Sequence, residues 1–224
     1  MTLPQTPREM TNRLHGIFLP AYLTLMSIIG GVALAALSSE VQTRREQHAI
    51  TSTQWILILA TYLLYLAIWN EYVMGVVIYV WFPSLLDAAF PFAWLIVELV
   101  LGYAAFGGVR AFLLAFALAV AMGPLNYLHI AFRARRLHED QLVIHRLLRR
   151  YQQFRFFIGP LVFLTVLLLA WYVYDIAGLG RYETIVSLGI LAMVMVVLAS
   201  TLPYWNTVLR YARSNTSHES EPDT

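Results

Sequence analysis

WILILATYLLYLAIWNEYVMGVVIYV, residues 55 to 80, is a run of 26 positions in which Glu71 is the only charged residue. A helix rises about 1.5 Å per residue, so such a run is longer than the ~30 Å apolar layer of a bilayer, for which roughly 20 residues suffice. It is apolar on every side, so it offers water no face and reads as a membrane span. Five further runs of the same kind lie outward from it, at 16–37, 88–107, 111–132, 156–177 and 183–205.

Composition agrees. The chain of 224 residues is 59% hydrophobic and 12% charged, against about a quarter charged in soluble domains. There is no cysteine, which excludes disulfides, thiolate metal sites, iron–sulfur clusters and a cysteine nucleophile. All 15 basic residues are arginine, which excludes any lysine Schiff base. The apolar run after the polar start, with Arg8 and Arg13, is too long for a cleaved signal peptide and is expected to stay as a first span.

The expected fold is all-α: a polytopic membrane protein, a bundle of six transmembrane helices with a basic cytoplasmic helical extension between the fourth and fifth. Residues 1–15 form a cytoplasmic N-terminal segment, 16–132 the first four spans, 133–155 the basic amphipathic helix, 156–205 the last two spans, and 206–224 an acidic, disordered cytoplasmic tail. FPSLLD at 82–87 and GGVR at 107–110 are expected to be tight connections. Arginines collect in cytoplasmic loops near spans. Arg133, Arg135, Arg136, Arg146, Arg149, Arg150 and Arg155 therefore place 133–155 in the cytoplasm, together with both termini. Arg44 and Arg45 dissent, with Glu40 and Glu46 beside them. The setting expected is a bacterial inner membrane.

Orientation allows the polar residues to be compared by depth. Asn70, Glu71, Glu98, Asn126, His129, Ser200 and Thr201 all fall near the midplane or in its cytoplasmic half. An acid near a bilayer centre costs on the order of 2.5 to 3.5 kcal/mol, so it faces a partner or a wet cavity and marks function. Ala67 and Gly75 flank Glu71 one turn away on either side, and Trp94 and Gly102 flank Glu98; small residues let a neighbour approach. Pro124, just above Asn126 and His129, frees the carbonyl of Val120. The expected site is this polar cluster, with proton-carrier chemistry, and Glu71→Gln is expected to leave a folded but inactive protein.

Other patterns are duller. Tyr62, Tyr65, Trp69 and Tyr72 form a stripe on the second span that reads first as packing or lipid-facing and second as a ligand platform. Trp55, Trp81, Trp171 and Trp205 sit near span ends, as interfacial anchors do. His138 and His145, two turns apart, are too far apart to chelate one ion. The cofactor is unknown; a bis-histidine haem through His15 and His129 is the one cofactor arrangement the histidines offer, and no attachment motif supports it. No metal site is expected, and HExxH, GxSxG and Walker motifs are missing. The basic stretch at 133–155, with Arg133, Arg135, Arg136, Arg146, Arg149 and Arg150, suits anionic lipid headgroups or a protein partner.

The leading functional expectation is a small transporter or channel, proton- or cation-linked. The alternatives are a membrane subunit, sensor or assembly factor docking a partner through 133–155, and a membrane enzyme acting on a lipid through Glu71, Glu98 and His129. Expected partners are membrane lipids, further copies of the chain or a membrane complex, and a small ion or molecule, with no nucleic acid.

Overall fold

A backbone surrounded by lipid must satisfy its own polar groups, and a helix does so within one segment. The computed structural model describes residues 7–78, 85–134, 159–203, 205–207 and 209–210, and it contains no strand among them. The helices are α1 (Pro7–Glu46), α2 (Ser52–Ile78), α3 (Leu85–Ala104), α4 (Val109–Ala134), α5 (Gly159–Ile176) and α6 (Glu183–Ala199), with a 3-10 turn at Leu179–Tyr182.

Four segments are long and apolar enough to cross a membrane: Pro20–Glu46, Ser52–Met74, Val109–Asn126 and Gly180–Ala199. The chain is thus an integral membrane protein. The apolar parts of α3 and α5, Ala89–Ala104 and Gly159–Tyr174, are shorter. Helix α1 runs nine residues past the expected end of its span at position 37. Its polar end stays helical because it bonds to itself. Arg44 pairs with Glu40, Gln42 donates to Glu46 Oε1 at 3.2 Å, and Thr43 donates to the Ser39 carbonyl at 3.0 Å. The helix ends at Glu46, and the chain turns away at His48, whose φ of 52° is left-handed.

Helix α2 is the hub, packed against α1 and α6 and touching α3 and α4. Helices α1 and α3 pack together, as do α3 and α4, and α5 lies on α4. The aromatic stripe of α2 is the seam with α1. Tyr62 hydrogen-bonds Ser38 at 2.9 Å, the Trp69 indole donates to Ser27 at 3.4 Å, and the Tyr72 and Tyr22 rings lie 6.0 Å apart. The pairing runs backwards along α1, so the two helices are antiparallel. Helices α2 and α6 run parallel, with Thr53 beside Thr184 at one end and, at the other, Asn70 bonded to Trp205 in the segment that follows α6.

Apolar helices in lipid gain little from leaving it, so close fit carries their association. Between α4 and α5 the fit is aromatic: Phe116 meets Phe163 edge-on at 5.4 Å, and Arg110 lies over the Trp171 ring at 5.2 Å. The connection from α3 to α4 is tight. Gly107 donates to the Ala104 carbonyl at 3.0 Å, and Gly108 takes φ 90°, which favours glycine. The return from α5 to α6 is pinned by Tyr174, which donates to Glu183 Oε1 at 2.8 Å. Apart from Arg133 and Ala134 at the end of α4, the basic stretch 133–155 lies outside the described residues, as do the 79–84 connection and the tail beyond 210.

Candidate functional site

Glu98 sits on the inward row of α3 formed by Trp94, Val97 and Leu101, all buried. It is itself only 2% exposed, and its Oε2 has no hydrogen-bond partner. Tyr65 of α2 donates its hydroxyl proton to the backbone carbonyl of Glu98. The Tyr72 ring packs against Trp94 at 6.3 Å, nearly perpendicular, and against Tyr22 of α1 on its other side. The Trp94 indole N–H is also buried without a partner.

Tyr65 reaches α3 because residue 102 has no side chain. A Cβ on Gly102 would lie 3.0 Å from the Tyr65 oxygen. The small residue expected to admit a neighbour beside Glu98 therefore does so, and the neighbour is a phenol. Tyr65 and Tyr72, seven residues apart and two turns along one face, were visible in the sequence as part of the aromatic stripe. Their relation to Glu98 was not.

Glu71 is half-buried and continues the buried row Leu57, Ala60, Leu64 and Ala67 at helical spacing, so it faces the bundle and not lipid. Asn70 looks toward the other flank of α2. Its Oδ1 accepts from the Trp205 indole at 2.7 Å, and its Nδ2 approaches the Met74 sulfur at 4.0 Å. Trp205, read as an interfacial anchor, is instead half-buried and turned inward. Thr201 is buried and donates to the Leu198 carbonyl at 2.7 Å, and Ser200, exposed, donates to Val197 at 2.6 Å. Both hydroxyls are engaged at the end of their own helix.

Asn126 is half-buried on α4, and the side chains of His129 and His15 lie outside what is described, so the haem arrangement does too. Among the described hydrogen bonds none joins Glu98 to Asn126 or Thr201. The residues gathered by depth thus separate by direction: Glu98 belongs to the α1–α2–α3 side, while Asn70 belongs to the α2–α6 seam. That seam also holds Ser187, fully buried with its hydroxyl unpartnered. Among the described residues no three His, Asp or Glu side chains gather to hold a metal ion.

A narrow cleft of about 10 Å³, room for roughly one water, opens between α1 and α3. Glu40, Ala36, Leu99, Gly102, Phe106 and Tyr65 are among the residues that line it. Arg44, paired with Glu40, lies over the Phe106 ring at 4.7 Å, which places a charged pair at that end.

Compared with known proteins, the chain matches no family model, no curated protein and no solved structure.

Proposed function

We propose that the protein is a small transporter or channel, proton- or cation-linked, in which the Glu98 carboxyl carries the moving or coupling charge. One observation carries the reading. The carboxyl is buried with an oxygen unpaired, and among the described residues no arginine or histidine side chain neutralises it. An enclosed carboxylate without a counter-charge is costly. A proton or a cation arriving from outside the bundle removes that cost, and its departure restores it. Glu71, facing the bundle from the next helix, supplies a second acid for the same traffic.

In this reading the chain crosses a bacterial inner membrane six times, with both termini and the basic segment 133–155 in the cytoplasm, a placement supported by its arginines. The test is ion flux in proteoliposomes of the purified full chain. A pH-sensitive dye inside the vesicles reports protons under an imposed potential, and alkali cations are supplied in turn. Flux that depends on pH and disappears in Glu98→Gln is the expected result. Undiminished flux in Glu98→Gln would overturn the assignment.

A further inference from the structure

The ion that a buried acid can take is set by the oxygens that stand around it, and for Glu98 these follow from the helices packed on α3. On α3 itself, from Ala88 to Gly102, Glu98 is the only residue whose side chain carries an oxygen. On α4, no side chain from Ala111 to Leu125 carries one, and Arg110 before that stretch is directed to Trp171. On α1, Thr24 donates to the Pro20 carbonyl and Ser27 accepts from the Trp69 indole, both at exposed positions, while Glu40 pairs with Arg44 at the far end. On α2, Thr61 donates to the Leu57 carbonyl and Tyr65 to the Glu98 backbone carbonyl, so these groups are committed to one another.

Beyond these, the face that α2 turns to α3 offers the Tyr72 phenol, which packs on Trp94 with Tyr22 of α1 beside it. Glu71 stands about a quarter turn from Tyr72 around α2. One turn before Glu98, on its own face, Trp94 presents a buried and unpartnered indole N–H, a donor with no lone pair for a cation. Glu98 is 2% exposed and does not line the cleft between α1 and α3, which has room for roughly one water.

A metal cation gives up its water only for a shell of oxygens: roughly six to eight for calcium, about six for magnesium, rings of carbonyls for potassium. One carboxyl, in the company of neutral phenols and an N–H donor, is not such a shell. A proton needs none, because it forms a covalent O–H bond and cancels the charge. We propose that the ion taken up by Glu98 is the proton and no metal cation. The inference rests on the reading of Glu98 as a carrier and narrows its cargo. Hydronium gives its proton to a carboxylate oxygen, water is released, and a neutral carboxylic acid remains on the apolar row of Val97 and Leu101.

The experiment reads occupancy and not transport. In the purified full chain, infrared spectroscopy follows the carboxyl C=O band of Glu98 as pH is lowered. The band is assigned by its loss in Glu98→Gln and, should that variant not fold, by its displacement in Glu98→Asp. Its midpoint is measured in choline chloride and then with lithium, sodium, potassium, magnesium or calcium chloride at constant ionic strength. The same midpoint is expected in all six. A cation that bound the carboxylate would compete with the proton and lower the midpoint by about one pH unit for each tenfold rise above its Kd. Such a shift with any one of the five metals would overturn the inference, as would failure of the band to appear at any pH at which the protein stays folded. A midpoint blind to every metal, in a protein whose vesicles carry no flux, would uphold the proton site and bring down the transport reading instead.

Discussion

The Tyr65 hydroxyl of α2 is bonded to the backbone carbonyl of Glu98 on α3, so the helices are held together at the acid's peptide unit while its carboxyl oxygen Oε2 is left over. A fold built only for stability would have spent the phenol on the carboxyl or replaced the acid with an apolar residue.

Glu98→Leu is therefore expected to stabilise the protein. Leaving a buried polar atom unpaired costs about 1–3 kcal/mol, and an apolar residue of similar shape removes that cost. The midpoint of thermal unfolding in detergent should rise while flux is lost. A lower midpoint would mean that the carboxyl is satisfied after all.

Gly102→Ala should destabilise by about 1–3 kcal/mol, because the new methyl meets the Tyr65 oxygen at 3.0 Å and the tight site has to yield. Tyr65→Phe removes the obstructing oxygen. The double variant is then expected to lose less than the sum of the two single losses, which unfolding measured on all four proteins of the cycle would reveal.

Trp205→Phe keeps an aromatic ring but leaves the Asn70 carboxamide without its 2.7 Å donor. The expected loss is about 1–3 kcal/mol. Asn70→Leu in the same background should restore part of it, because both partners of the bond are then gone. Additive losses would indicate that the bond is not what joins α2 to the segment after α6.

Phe116→Ala opens a void where the fully buried Phe116 ring of α4 meets the partly buried Phe163 of α5. A loss of about 3–5 kcal/mol is expected, as for large aromatic truncations in a packed core. Proteolysis of the 3-10 turn at Leu179–Tyr182 gives a second readout, since α5 relies on α4 for its packing.

Much of the architecture was legible because apolar length is a strong signal: α2 covers the run at 55–80 as far as position 78, and the runs at 16–37 and 111–132 lie within α1 and α4. The helix ends were less legible, since the polar residues after position 37 continue α1 by bonding one another. The site was half legible. Counting residues from a span's end gives depth, which is one coordinate, while which residues meet depends also on the angle around each helix and on which helices are neighbours. Asn70 and Tyr72 lie at nearly the same depth but about 200° apart around α2, and so serve different partners. That α2 lies beside α6, and that α1 and α3 close over the same phenols, is a fact of packing that no single apolar run contains. Ser200 and Thr201 escaped for another reason, since hydroxyls near a helix end can turn back on their own carbonyls.

The bond between Asn70 and Trp205 joins positions 135 apart. During synthesis the second helix enters the lipid long before the residue that completes it has been made. Its carboxamide and the Thr53 hydroxyl must wait, solvated by the insertion machinery or by each helix's own backbone, until α6 arrives alongside. The latch on α2 is therefore closed by the residues that follow α6, and a ribosome halted before codon 205 would hold a nascent protein whose hub is in the bilayer but not yet latched.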